Sequence, residues 1–244
     1  MDAVRWALVT GAGRGLGREV CRRLAAEGFR VVAGVRDPAA APEPAGGLPA
    51  GPDGAGHLVL TLDVTDPASV ADAAARVAAE AGRLDVLVNN AAAYVDWTET
   101  VSGADLDASR AVLETNLYGP WRMVQAFLPL LRRSAHPRVV NVASGAGSHG
   151  DPAFGLAAPG GTAASYGISK AALIALTSKL AAELAGSPVL VNAVCPGLTA
   201  TWPGAEQAGA RPVAEGAEGI VLAATLPDDG PRGGFFRDGR PLPW

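Results

Sequence analysis

The sequence predicts an α/β fold, a doubly wound and mostly parallel sheet of seven strands with helices on both faces, and three observations predict it. Short runs rich in Val, Leu and Ile alternate along the chain with longer segments of helical period, the pattern of parallel strands joined by crossover helices. The strand runs are apolar throughout instead of alternating, which requires burial on both faces. A glycine-rich turn separates the first strand from the first helix, where such folds turn sharply.

The expected strands are 6–9, 29–35, 57–62, 85–89, 138–143 and 189–194, with a short one near Phe235. Each is a run of apolar residues ended by Gly, Asp, Asn, Ser or Pro, the residues that favour turns. Helical periodicity places helices at 16–27, 67–81, 106–133, 165–184 and 214–226. Pro67 suits a first helical turn, and Pro129 marks a helix end or a kink. The tract 38–56, dense in Pro, Gly and Ala, replaces the covering helix expected there with a loop or at most one turn.

At 244 residues and 49% apolar composition, the chain suits one domain, 1–244, with a continuous core. Its net charge is −4 and no basic run interrupts it, so nucleic acid and anionic membrane are excluded as partners. The start MDAVRWALVTGAG lacks the apolar core of a signal peptide, and no stretch reaches a membrane span, so a cytoplasmic location is expected. Cys21 and Cys195 are too few and too scattered for a disulfide or a metal site; both read as small buried hydrophobes.

The turn reads Thr10-Gly11-Ala12-Gly13-Arg14-Gly15-Leu16-Gly17 and leads into an amphipathic helix. Glycines let backbone approach a pyrophosphate and aim helix amides at its charge, so Gly11 to Gly17 read as the dinucleotide site of a Rossmann-type domain. The second strand ends in Val35-Arg36-Asp37. A carboxylate there would bind a free ribose 2′-hydroxyl, whereas arginine pairs with a 2′-phosphate. Arg36 and Arg14 converging on one ribose favour NADP(H), with NAD(H) read by Asp37 as the alternative. Asp63-Val64 closes the third strand, where a carboxylate can accept from an adenine amino group. Asn89-Asn90 closes the fourth, where side-chain amides can tie strands together beside the cofactor.

Tyr166 and Lys170 lie four residues apart in YGISK, on one face of a predicted helix, and Lys170 is one of only two lysines. A nearby cation favours phenolate, lowering a tyrosine pKa from its usual ~10 toward the range of a working acid or base. Alone, this spacing also arises by chance in helices.

With TGAGRGLG, DV, NNA, Asn116 in ETNLYGP, Ser144 in NVAS, YGISK and Pro196-Gly197 in order along it, the chain resembles the short-chain dehydrogenase/reductase family over nearly its whole length. The extended loop and the C-terminal GGFFRDGRPLPW resemble the carbonyl-reductase-like branch. The resemblance implies hydride transfer between a nicotinamide and a small-molecule carbonyl or alcohol. In it Tyr166 exchanges a proton with the substrate oxygen, and Lys170 holds the nicotinamide ribose while depressing the Tyr166 pKa. Ser144 stabilises the same oxygen, Asn116 holds a water leading from Lys170, and Pro196, Gly197 and Thr199 complete the cofactor site. It also implies a homodimer or homotetramer, through the helices bearing Asn116 and Tyr166 and through the C-terminal strand, while an insertion before Tyr166 can block one of those faces.

Two departures stand out. Ala92 replaces the more usual glycine, and 145–165 forms an insertion at the active-site mouth carrying His149, Asp151 and Phe154. With 198–213 as a substrate-side loop, His149, Phe154, Trp97 and Trp202 are the candidate pocket residues. The expected reaction is NADPH-dependent reduction of a ketone or aldehyde. The alternatives are a redox-neutral cyclisation, isomerisation or dehydration and, further off, a non-catalytic NADP(H) sensor.

Overall fold

A computed structural model describes residues 4–39, 48, 51, 54 and 56–244. Seven strands run parallel: β1 (Arg5–Thr10), β2 (Phe29–Val35), β3 (Leu58–Thr61), β4 (Val86–Asn89), β5 (Arg138–Val142), β6 (Leu190–Val194) and β7 (Phe235–Arg237). An eighth, β8 (Arg240–Pro241), returns antiparallel to β7, and the sheet order is β3-β2-β1-β4-β5-β6-β7-β8. The eighth strand corrects the expected seven. Asp238 and Gly239 both take positive φ, 53° and 71°, the two-residue turn whose twist suits a hairpin. The tract 38–56 falls outside the described residues apart from Pro38, Ala39, Leu48, Gly51, Gly54 and Gly56.

Helices α1 (Gly15–Ala26) and α6 (Val213–Ala224) pack one face of the sheet through Val20, Leu24, Ala217 and Ile220. Helices α2 (Pro67–Ala81), α4 (Gly119–Leu131) and α5 (Ala164–Glu183) cover the other with Val70, Val77, Met123, Phe127 and Leu180. Strands β4, β5 and β6 are buried at every position, as unbroken apolar runs require. Asp66 caps α2 by accepting from the Ala68 amide, with Pro67 in its first turn.

The segment expected as one helix over 106–133 is broken in two. Helix α3 (Leu106–Leu113) and α4 flank a π-helical turn, Glu114–Tyr118, closed by the Gly119 amide donating to the Glu114 carbonyl. A side chain at Gly119 would put its Cβ 2.8 Å from Val64, so this close approach requires glycine. The wider turn brings Asn116 wholly inside the protein. Pro129 lies inside α4 close to its end at Leu131.

The strand order reverses between β1 and β4, which opens a crevice at the carboxyl ends of the strands. Beneath it the Asn89 amide donates to Asn141 at 2.8 Å, and the Asn141 amide donates to the Thr177 hydroxyl of α5 at 2.9 Å. This chain of buried amides sets α5 against the sheet. Thr177→Val keeps the shape but orphans the Asn141 amide, so urea unfolding is expected to show a loss of about 1–3 kcal/mol.

Candidate active site

At the end of β1 the turn is built around glycine. Gly11 has φ of 65°, and a Cβ there would lie 2.9 Å from the Ala91 Cα. A Cβ on Gly17 would lie 2.3 Å from the Gly11 carbonyl oxygen. Thr10 and Asn90 lock this turn to β4: the Thr10 hydroxyl accepts from the Asn90 and Ala91 amides at 2.9 and 3.0 Å, and the Asn90 amide donates to the Thr10 carbonyl at 2.9 Å. Helix α1 begins after Arg14 with no side chain capping it, leaving first-turn amides open to an anion beside Gly13, Gly15 and Leu16. The residues present therefore fit a dinucleotide.

Arg14 and Arg36 are both exposed at this end. Burial raises the Asp63 carboxyl, but hydrogen bonds from the Thr65 amide and hydroxyl, with the charges of Arg36 and Arg122, outweigh it and hold it below the usual range. Val64 is buried behind it. The Asp37 carboxylate accepts from the Ala39 amide at 2.9 Å, which commits one of its oxygens to its own turn.

Helix α5 carries Tyr166 and Lys170, both buried on its inner face. Ser144, which follows β5, accepts from the Ala146 amide at 3.2 Å and lies near enough to the Tyr166 phenol to act on its pKa. The Lys170 ammonium donates to the Val142 carbonyl at 2.9 Å and lies 5.6 Å from the Tyr166 ring centroid. Burial pushes the Tyr166 phenol above its usual value, and Tyr94 adds to this against the opposing influence of Ser144. The expected lowering by Lys170 is thus reversed here: desolvation of the phenolate dominates. Burial likewise lowers Lys170 to about 8.

Asn116 joins three elements. Its side chain accepts from the Ala93 amide at 2.8 Å and donates to the Ala93 carbonyl at 2.9 Å and to the Ser169 hydroxyl at 3.0 Å. It therefore reaches the residue beside Lys170 rather than Lys170 itself.

Two neighbours of these residues escaped the sequence reading. The N-cap position of α5 is Ala163, whose φ of 51° is left-handed and whose side chain cannot cap. Glu99 supplies the cap from another segment, accepting from the Ser165 amide at 2.7 Å through its carboxylate and from the Ala164 amide through its carbonyl. Tyr94 stacks on Tyr166 at 5.3 Å and 20°. Its place four residues after Asn90 was the only signal for it.

Ser144 and Tyr166 line a cavity of about 350 Å³ together with Tyr94, Trp97, Phe154 and Trp202. Leu16, Pro196, Gly197 and Thr199 also line it, with the Thr199 hydroxyl donating to the Pro196 carbonyl at 3.1 Å. His149 is not among the lining residues. It is exposed because Ser148 and Asp151 on either side bind inward. The Ser148 hydroxyl bonds the Pro243 carbonyl, and the Asp151 carboxylate pairs with Arg237 at 2.7 Å, tying the 145–165 insertion to the C-terminal strand. Among the described residues no group of three His, Cys, Asp or Glu gathers to hold a metal, and no helix is long and apolar enough to cross a membrane.

A family model described as short chain dehydrogenase matches residues 5–209. The chain is 30% identical to (+)-neomenthol dehydrogenase of Capsicum annuum, over 96% of each. It is 34% identical to the 3-oxoacyl-acyl-carrier-protein reductase of Escherichia coli, over 80% of this chain and 73% of that protein. Among solved structures, NADPH-bound carbonyl reductase from chicken fatty liver superposes with a TM-score of 0.81 at 28% identity, each chain covered in full. A metagenomic short-chain oxidoreductase in complex with NADP gives 0.75 at 27% identity, over 93% of this chain and 92% of the other.

Glu99→Ala removes the side-chain cap of α5, so thermal or urea unfolding is expected to lose about 1 kcal/mol, while Glu99→Gln, which keeps an acceptor oxygen, stays near the parent.

Proposed function

The chain belongs to the short-chain dehydrogenase family of NAD(P)-dependent oxidoreductases, and on that premise we propose that it reduces a small-molecule ketone or aldehyde to an alcohol with NADPH. The observation that carries this reading is that Ser144 and Tyr166, neighbours close enough to act on one proton, line one cavity together with Leu16 of the glycine turn.

NADPH, when bound, supplies the hydride that reaches the carbonyl carbon. Gly11 to Gly17 and the open amides of α1 hold its pyrophosphate in this reading, and Asp63 and Val64 meet its adenine end. Asn90, Pro196, Gly197 and Thr199 border it on the substrate side. Arg14 and Arg36 select the 2′-phosphate, because both are exposed at the β1 and β2 ends while Asp37 is engaged with Ala39. The NADPH- and NADP-bound structures similar to this chain support the same preference.

Tyr166 acts as the general acid. A phenol whose pKa is raised by burial keeps its proton, the form needed to protonate a carbonyl oxygen as it gains charge. Ser144 donates to the same oxygen and stabilises that charge. Lys170, on the same helix face, places a cation beneath the phenol and favours proton loss from it as the alcohol forms. Asn116 holds the Ala93 backbone and Ser169 in register around this pair. The neutral partner is a carbonyl or alcohol, and a homodimer or homotetramer is the proposed assembly.

Two measurements test this. Tyr166→Phe is expected to abolish ketone-dependent loss of NADPH absorbance while leaving NADPH affinity within a few fold; product formation without change in absorbance would mark a redox-neutral enzyme. Arg36→Ala is expected to weaken NADPH about tenfold and NADH little, by the strength of a charge-assisted contact, about 1.5–3 kcal/mol before solvent screening; equal losses for both would move the phosphate contact elsewhere.

A further inference from the structure

We infer that the substrate of this site is a neutral ketone whose carbonyl is borne on a compact ring system, an aryl or fused-ring ketone, in preference to a linear chain or an anion. The inference rests on the reductase reading above and adds the substrate class to it.

The distribution of aromatic side chains carries the argument. The chain holds five Trp, five Phe and three Tyr. Tyr94, Trp97, Phe154, Tyr166 and Trp202 all line the same cavity. Apart from Tyr166 they are also among the most exposed large apolar residues, at 54% for Tyr94, 46% for Trp97, 60% for Phe154 and 38% for Trp202. A protein poor in aromatic rings that leaves four of them open around one cavity presents a ligand surface, because burial elsewhere would stabilise them.

Their arrangement selects shape. Tyr94 stacks on Tyr166, Trp97 meets Tyr166 edge-on at 5.5 Å, and Trp97 and Trp202 stand 6.2 Å apart at 35°. The two tryptophans are too close for a ring between them and instead offer continuous tilted faces. A planar ring gains offset or edge-to-face contacts on such faces that a flexible chain cannot match. The cavity, about 350 Å³ including the wall next to Leu16, lies at the small end of ligand pockets, which run from about 300 to 1,000 Å³. It suits a compact ring system.

Its charge selects neutrality. Among the described residues Arg237 is the only charged one lining the cavity; Asp151 neutralises it at 2.7 Å, and the Arg237 Nε donates to the Cys195 sulfur at 3.3 Å. An anionic substrate would have to compete with a buried carboxylate for that guanidinium.

The test measures kcat/KM with NADPH for 1-tetralone, 2-octanone, the N-acetylcysteamine thioester of acetoacetate, and the pair benzoylformate and methyl benzoylformate. The expected result is a preference of tenfold or more for 1-tetralone over both chain substrates and for the neutral ester over its acid. Trp97→Ala is expected to lower the 1-tetralone value about tenfold and the 2-octanone value less than twofold, with Trp97→Phe restoring most of it. Equal or better use of 2-octanone, equal use of acid and ester, or an equal fall on both ketones in Trp97→Ala would overturn the inference. Titration calorimetry on the NADPH-loaded protein separates the two readings. Binding of 1-tetralone that weakens in Trp97→Ala, without oxidation of NADPH by any ketone, would refute the reductase reading and support the ring preference.

Discussion

A buried ammonium restricts everything around it. Lys170 is 2% exposed and forms no ion pair among the described residues, so its charge must be met by neutral dipoles. The Val142 carbonyl, at the last residue of β5, meets it at 2.9 Å. That contact fixes the rotation of α5 over the strand ends, and Tyr166, one turn earlier, follows onto the same face. Ser144 leaves β5 two residues after Val142 and therefore arrives beside the phenol. One electrostatic requirement thus aligns a strand end, a helix face and two hydroxyls.

The other contacts hold α5 at its start. Glu99 ties its first amides to the segment bearing Tyr94 and Trp97, and Ser165 shares a 2.6 Å hydrogen bond with Ser109 of α3. Gly147, in the short turn after Ser144, lies so close to α5 that a Cβ would stand 2.4 Å from the Ala171 amide nitrogen. The aromatic wall, Ser144, Tyr166 and the insertion are therefore all referenced to one helix, and the insertion is fastened from outside by Asp151, Arg237, Ser148 and Pro243.

The fold was legible because burial on both faces of a parallel strand leaves a plain apolar signature, and because the glycine turn, Tyr166 and Lys170 answer to local spacing. The eighth strand was also written in the chain, as Asp238-Gly239, but two flanking residues give too short a run to register. Glu99 could not be found by spacing, since it caps a helix that starts 65 residues further along the chain. Tyr94 gained its partner only when the fold brought the segment after β4 against the start of α5. The pKa of Tyr166 was misjudged because a sequence displays the neighbouring cation and hides the desolvation that opposes it. Proximity in the chain likewise placed His149 with Phe154, whereas the inward bonds of Ser148 and Asp151 turn it to solvent.

The π-helical turn at Glu114–Tyr118 adds one residue to a winding that otherwise advances about 100° per residue. The apolar stripes of α3 and α4 are consequently out of phase, so the single helix expected over 106–133 cannot present one continuous stripe. Natural variants that lengthen or shorten this region by one position would swing α3 by that angle and carry Ser109 away from Ser165. Across related chains, the spacing between these two stripes should therefore be more rigidly kept than the side chains that compose them.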